Sequence, residues 1–374
     1  TIKPLTRKQL NAKMDQDDFE GNLYRQTFEL VDKHYDEIKE AAPKVSKDST
    51  GYHIWNIWDR EKEIFDLTKL FVGAQGTLGI ITDIKFNLVP KPSHSGTLVC
   101  YMKDTDELGE VIPAVLRHNP ATFECFDDNT LWLSFKFFFS FLKKLGFVQW
   151  AKLALQLIPD GLMLVKGIPR LILLIEFTGD SVEEVKQKIH ETRLDLEHFS
   201  FTYMEEDETE AKSKKFWLMR RESFNLLRQK VHDKHTAPFI DDMVVPPERL
   251  AEFLPRLRKI IVKYKLLATI AGHLGDGNFH VIPLMKIEAK SERAKLEPAM
   301  KEVNTLVIKY GGSVSGEHND GLIRGPWLQQ MYSPSVLGYM REMKSLYDPK
   351  NIFNPHKKTD ANWDYSFKHI REHF

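Results

Sequence analysis

Two histidines and a glutamate are the residues of this 374-residue chain best suited to do chemistry. His273 and His280 flank Leu274-Gly275-Asp276-Gly277-Asn278-Phe279, between two apolar, strand-like runs. Asp276-Gly277 is a two-residue hairpin signal. With a two-residue loop, Gly275 faces Asn278, Leu274 faces Phe279 and His273 faces His280. The two imidazoles then share one face, with Cβ atoms about 5 Å apart. Zinc and similar ions take such a pair together with a third protein ligand, and leave a position for water or substrate. Glu317, in Gly311-Gly312-Ser313-Val314-Ser315-Gly316-Glu317-His318-Asn319-Asp320-Gly321, is the expected third ligand. A set of two histidines and a glutamate suits zinc, and also manganese or iron(II). The competing reading is a pair of hydrogen-bonded turn histidines. His318, beside Glu317, can serve as a general base near neutral pH, or simply bond within its loop. Asn278 can bind a substrate or close the turn.

Two further stretches carry chemistry. Arg220 and Arg221 stand among apolar neighbours, Trp217, Leu218, Phe224 and Leu227, in an expected helix over 207–230. An arginine aimed into a pocket binds a carboxylate in bidentate fashion; a pair of solvated helix arginines is the alternative. Upstream, Gly73-Ala74-Gln75-Gly76-Thr77-Leu78-Gly79-Ile80-Ile81-Thr82 spaces its glycines as G-x-x-G-x-x-G. That is neither the dinucleotide fingerprint nor a P-loop. It reads equally as a glycine turn before a strand and as a cofactor loop.

The elements that must position these residues can be traced along the chain. Thr6-Arg7-Lys8-Gln9 reads as a capping box. Residues 18–41 read as a charged surface helix, and 45–63 as an aromatic loop with Tyr52, Trp55 and Trp58. No compact domain is expected before residue 63. A strand is expected at about 80–89 from its alternation. Pro90-Lys91-Pro92-Ser93-His94-Ser95-Gly96 marks a boundary. Strands at 97–102, 121–126, 170–177 and 198–204, with helices at 105–118 and 180–194, spell strand–helix–strand twice. That pattern suits an antiparallel ferredoxin-like sheet with helices on one face. Between the halves, residues 131–168 are rich in Phe, Leu and Trp, with Lys136, Lys143, Lys144 and Lys152 interspersed. They suit a helical pair lying on a membrane surface or an apolar lid. A helix opens at Pro246-Pro247, the hairpin spans 267–284, and helices follow at 287–309 and 333–346. The tail after Lys358 is expected to be peripheral.

Composition narrows the classes. Lysine plus arginine and aspartate plus glutamate each number 53, so no nucleic-acid surface is expected. An apolar content of 42% supports real cores. The two cysteines, Cys100 and Cys125, exclude a four-cysteine iron–sulfur cluster within this chain and fit a reducing compartment. The expected location is cytoplasmic, peripheral on the inner face of the membrane if 131–168 touches lipid.

Together these residues resemble a known family. Residues 73–82 resemble the G-S-E-G-T-L-G-I-I-T stretch of FAD-linked oxidases of the vanillyl-alcohol-oxidase type. Residues 272–280 are similar to their H-x-G-D-G-N-x-H motif, and 311–321 to their G-G-S-x-S-G-E-H-G-x-G motif. Residues 347–355 resemble the closing D-P-x-x-x-x-N-P segment. The nearest branch is the group of D-lactate dehydrogenase, glycolate oxidase subunit and D-2-hydroxyglutarate dehydrogenase. The resemblance implies an α+β chain: the second half of an FAD-binding domain in 1–92, a ferredoxin-like cap domain in 93–358 and a tail in 359–374. It also implies that the pyrophosphate-binding half of the FAD domain precedes Thr1, making the chain a C-terminal portion of a longer protein.

By the same likeness His273, His280 and Glu317 hold a divalent metal and His318 is the base. Arg221 clamps the substrate carboxylate with help from Asn278. Gly73, Gly76, Thr77, Gly79 and Ile81 line the FAD, with Asn354 near the flavin. The implied reaction oxidises a D-2-hydroxy acid to its 2-oxo acid, with hydride passing to the flavin. A separate quinone, electron-transfer flavoprotein or iron–sulfur protein then takes the electrons. Two departures stand out: Asn319 and His356 replace glycines of the family pattern. A flavin-free metal hydrolase and a catalytically incomplete binding module are the alternative readings.

Overall fold

The computed structural model describes residues 1–128, 130, 169–207, 217 and 234–371. The chain forms two compact units, one from Thr1–Asn87 with Val307–Phe374 and the other from Leu88–Leu306.

In the first unit the capping box is present: Thr6 and Gln9 bond each other's backbone around the start of helix Arg7–Met14. Asp18 caps helix Phe19–Lys33 through the Gly21 N–H at 2.7 Å. This helix buries Tyr24, Thr27, Phe28 and Val31 and packs against helix Pro334–Tyr347. A break at His34 precedes a short helix, Tyr35–Glu40, where the sequence suggested one helix. Three two-residue strands, β1 (Leu5–Thr6), β2 (Trp58–Asp59) and β3 (Ile64–Phe65), form a small antiparallel sheet in the order β1-β3-β2.

The expectation of no compact domain before residue 63 is overturned. Tyr52, Trp55 and Trp58 are core residues, buried with Phe28 and Phe65. Tyr52 sits in a loop, Trp55 in a short 3₁₀ turn and Trp58 in the two-residue strand β2, pieces too short to show a periodicity that sequence patterning could detect. The expected strand at 80–89 is also absent. These residues form no ladder, and Ile80, Ile84, Phe86, Leu88 and Val89 are exposed. Alternation specifies a face, but a strand needs a neighbour to satisfy its backbone groups.

The second unit is built on an antiparallel sheet. Its main strands are β4 (His94–Met102), β5 (Thr122–Asp127), β6 (Leu171–Gly179) and β7 (Phe201–Asp207). Their order is β7-β4-β6-β5, all antiparallel. Helices Leu108–Leu116 and Val182–Leu196 supply the two crossovers and pack on each other. This is the ferredoxin-like pattern read from the sequence, with element ends shifted by a few residues. Leu98 to Met102 are buried without alternation, as a strand covered on both faces should be. The sheet continues past β5 through β10 (Leu267–His273) and β11 (Asn278–Met285), edged by the short β8 (His235–Thr236), with β9 (Met243–Val244) also on β11.

No helix among the described residues is long and apolar enough to cross a membrane. The segment 131–168, Arg220 and Arg221 lie outside the described residues.

Candidate functional site

The β10–β11 turn is longer than its Asp-Gly signal implies. Leu274–Asp276 forms a 3₁₀ turn and Gly277 closes it at φ +66°. A Cβ at Gly277 would stand 1.8 Å from the Val245 carbonyl oxygen, so only glycine fits here. The loop therefore spans four residues, and His273 pairs with Asn278 while His280 pairs with Ala271. The direct His273–His280 pairing expected from a two-residue loop is corrected to a diagonal one. The slip is an even number of residues, so the face is preserved. The two imidazole rings lie 5.4 Å apart, nearly perpendicular.

Each ring is held by a carboxylate. His273 Nδ1 lies 2.7 Å from Glu124 Oε1, its direct neighbour across the β5–β10 ladder. His280 Nδ1 lies 3.1 Å from Asp241 Oδ1. Such partners fix tautomer and ring orientation, so that Nε2 becomes the donor a metal takes. Asp242 is fully buried, at φ +69°, and its ligand atom lies within 4.8 Å of that of His280. Asn278 donates from Nδ2 to Asp242 Oδ1 and to the Met243 carbonyl, each at 3.2 Å. Its Oδ1 is buried and has no hydrogen-bond partner among the described residues. A buried acceptor of this kind costs about 1–3 kcal/mol until a donor reaches it. A ligand hydroxyl is such a donor.

Glu124, Asp241 and Asp242 were missed by sequence reading. The available signal was polarity out of place. Glu124 interrupts the apolar strand Phe123-Glu124-Cys125-Phe126, and the two aspartates precede Met243-Val244-Val245.

The first unit holds the other predicted residues. Glu317 and His318 are partly exposed, with Oε1 and Nε2 3.6 Å apart, and Lys47 Nζ lies 3.2 Å from Glu317 Oε2. The next residue, Asn319, sits at φ +68°, a conformation that glycine favours and asparagine tolerates. His356, the other residue standing where the family motif has glycine, has φ +63° and stacks on Tyr365 at 3.7 Å. Both departures thus retain the backbone that glycine would serve. The tail is packed by this stack and by Trp363 against Trp327 at 5.3 Å.

The glycine loop meets these segments within the same unit. Gly73 and Gly76 lie at φ +73° and +68°. Thr77 Oγ1 bonds the Tyr52 hydroxyl and the Ala74 carbonyl, each at 2.6 Å. Gln75 Oε1 accepts the Gly321 N–H at 3.1 Å, and the Gln75 carbonyl accepts Asn354 Nδ2 at 2.7 Å. Lys344, nearly buried, donates to the Thr77 carbonyl, Asp348 and the Phe353 carbonyl. An open cleft of about 340 Å³ is lined by Phe71, Ala74, Gly76, Leu78, Gly79, Ile80 and Ile81. With no charged lining residue, it suits an aromatic ring system rather than a diphosphate. Thr77 is fully buried and engaged, so its side chain shapes this loop from behind.

Comparison with known proteins bears on these groups. The family described as FAD linked oxidases, C-terminal domain, matches residues 91–358. D-2-hydroxyglutarate dehydrogenase of Pseudomonas putida is 28% identical over 344 residues, which are 90% of this chain and 32% of that protein. Glycolate oxidase subunit GlcD of Bacillus subtilis is 28% identical, covering 86% of this chain and 60% of that one. The mitochondrial D-lactate dehydrogenase [cytochrome] of Arabidopsis thaliana is 26% identical, covering 86% and 50%. The chain thus spans between a third and three-fifths of the length of these relatives. Among solved structures, 4-ethylphenol oxidase from Gulosibacter chungangensis shares the fold with a TM-score of 0.57 at 13% identity, covering 82% of this chain and 62% of that one.

Proposed function

Because this chain belongs to the FAD-linked oxidase C-terminal-domain family, we propose that it forms the substrate-oxidising part of an FAD-dependent D-2-hydroxy-acid dehydrogenase. The supporting observation is the pair of imidazoles on one sheet face, each with Nδ1 on a carboxylate. Turn histidines that merely satisfy the backbone would not need an acid each, one of them, Glu124, buried.

By the family resemblance, a divalent ion of the zinc class would take His273 and His280 as nitrogen donors and Glu317 as the carboxylate; buried Asp242, beside His280, is a further oxygen donor. Bound, the ion supplies a Lewis acid for the 2-hydroxyl and the flavin supplies the hydride acceptor. His318 accepts the hydroxyl proton at a ring nitrogen. Arg221 pairs with the substrate carboxylate, and the orphaned Asn278 Oδ1 takes the 2-hydroxyl as donor before that proton leaves. The glycines at 73, 76 and 79, with Thr77, Ile81 and Asn354, shape the apolar cleft against which the flavin ring would lie. A four-cysteine cluster is excluded only within these 374 residues, which hold two cysteines; the electrons pass on to a quinone, flavoprotein or iron–sulfur acceptor. The substrate class is lactate-, glycolate- or 2-hydroxyglutarate-like, as the relatives' names suggest.

The test is dye-linked oxidation of these acids by the full-length protein, with its visible flavin spectrum and metal content measured. His280→Ala should abolish bound metal and most turnover, and Arg221→Met should raise KM strongly. Full-length protein that carries no flavin and oxidises no 2-hydroxy acid would end this reading. Unchanged metal in His280→Ala would end the ligand assignment.

A further inference from the structure

Lys358 and Asp320 form an ion pair at 2.9 Å with neither side chain exposed at all. The ammonium is saturated: besides Asp320 Oδ2 it donates to the Gly51 carbonyl at 2.7 Å and the Ser49 carbonyl at 3.0 Å. Asp320 Oδ2 also accepts the Gly51 N–H at 2.8 Å. The pair thus ties the closing segment of the chain to residues 49–51 and to the loop that carries Glu317 and His318.

That loop is pinned on both sides of those two residues. Ahead of them, Ser313 Oγ donates to Asp48 Oδ1 at 2.6 Å, and the Ser49 N–H donates to the Ser315 carbonyl at 3.0 Å. Behind them, the Asn319 N–H donates to Ser49 Oγ at 3.1 Å, and Asp320 is held by Lys358. Glu317 and His318 project from the short span between. Residues 48–51 are therefore a template for the loop, and Lys358 holds the template and the loop together.

Stability alone does not account for the pair. Burial pushes Asp320 up and Lys358 down from their ordinary ranges, each toward its neutral form. Buried ion pairs generally do no better than apolar replacements of similar volume. Lys358 moreover adopts φ +56°, a left-handed conformation that is unfavourable for a residue with a Cβ by about 1–2 kcal/mol. An arrangement that is neutral or worse for folding, yet satisfies all three N–H bonds, is explained by what it locates.

We propose that Lys358 and Asp320 are positioning residues for Glu317 and His318, fixing the loop so that the carboxylate and imidazole stand where substrate chemistry needs them. This rests on the reading of Glu317 and His318 given above. The test uses the full-length protein carrying Lys358→Met together with Asp320→Asn, which avoids stranding a buried charge. Three quantities are read: amide hydrogen exchange over 313–321 against helix Phe19–Lys33, zinc retained against a chelator, and kcat separately from KM. Exchange over 313–321 should rise about tenfold or more while the helix is unchanged. Retained zinc should fall, and kcat should drop about tenfold with KM nearly constant, as small misplacements of reacting groups do. Unchanged exchange, or faster exchange with kcat and zinc both within twofold, would overturn the proposal. If the double variant fails to fold, Asp320→Glu, which keeps the charge pair but displaces its carboxylate, is read the same way. Glu317→Gln and His318→Gln run alongside: full turnover in these would sink the reading of the site, while the exchange data still decide whether the pair orders the loop.

Discussion

Glu124 offers the sharpest test of the histidine pair, because two substitutions there separate charge from contact. Its carboxylate lies 2.7 Å from His273 Nδ1 and is buried, and the β5–β10 ladder fixes the two residues directly opposite one another. In Glu124→Gln the amide oxygen can still accept the imidazole N–H. What is lost is the charge assistance, the difference between about 1.5–3 and about 0.5–1.5 kcal/mol. That difference, about 1 kcal/mol, predicts roughly a fivefold weaker metal affinity. Glu124→Ala removes the partner altogether and should weaken affinity by about 10–100-fold. Chelator competition with zinc-loaded full-length protein measures both, with circular dichroism to show the sheet intact. If alanine leaves affinity within twofold of the parent, His273 is not a ligand oriented by this acid. If glutamine is as damaging as alanine, the charge rather than the contact is what matters.

Other outcomes follow from the same structure. Burial raises the Asp127 carboxyl to about 6. The stability it contributes is therefore complete below pH 4 and lost as pH rises through 6, a difference of about 3 kcal/mol. Asp127→Asn, which still accepts from Thr130 (N–H at 2.9 Å), should remove that dependence in urea titrations at pH 4 and 7; parallel curves for parent and variant would contradict it. Gly277→Ala must move backbone away from the Val245 carbonyl and should destabilise the second unit by about 2–4 kcal/mol; an unchanged urea midpoint would refute the turn assignment. Asn319→Gly should leave thermal stability nearly unchanged while Asn319→Ala lowers it by about 1–2 kcal/mol, as its φ of +68° requires; equal melting points would refute this. Lys344→Met strands the buried Asp348 beside the glycine loop and should cost about 3–5 kcal/mol, read as a lower melting temperature of the full-length protein.

The sequence by itself determined those parts of this protein in which chemistry repeats at a fixed spacing. The four strands and two crossover helices of the second unit follow from short apolar runs set between turn residues and from helical periodicity. The capping box follows from Thr6 and Gln9, three positions apart, and the shared face of His273 and His280 from a period of two. Where structure depends on contacts remote in the chain, tertiary organisation decided. Whether 80–89 is a strand depends on a neighbour, and none is present among the described residues. Tyr52, Trp55 and Trp58 became core because helices Phe19–Lys33 and Pro334–Tyr347 close around the aromatic cluster to which they belong. Glu124 became a histidine's partner only when β5 paired with β10, across nearly 150 residues of chain. The Asp-Gly signal located the turn beside the two histidines. The four-residue loop set their offset, because the carbonyl of Val245, on another segment, leaves room only for a glycine at 277.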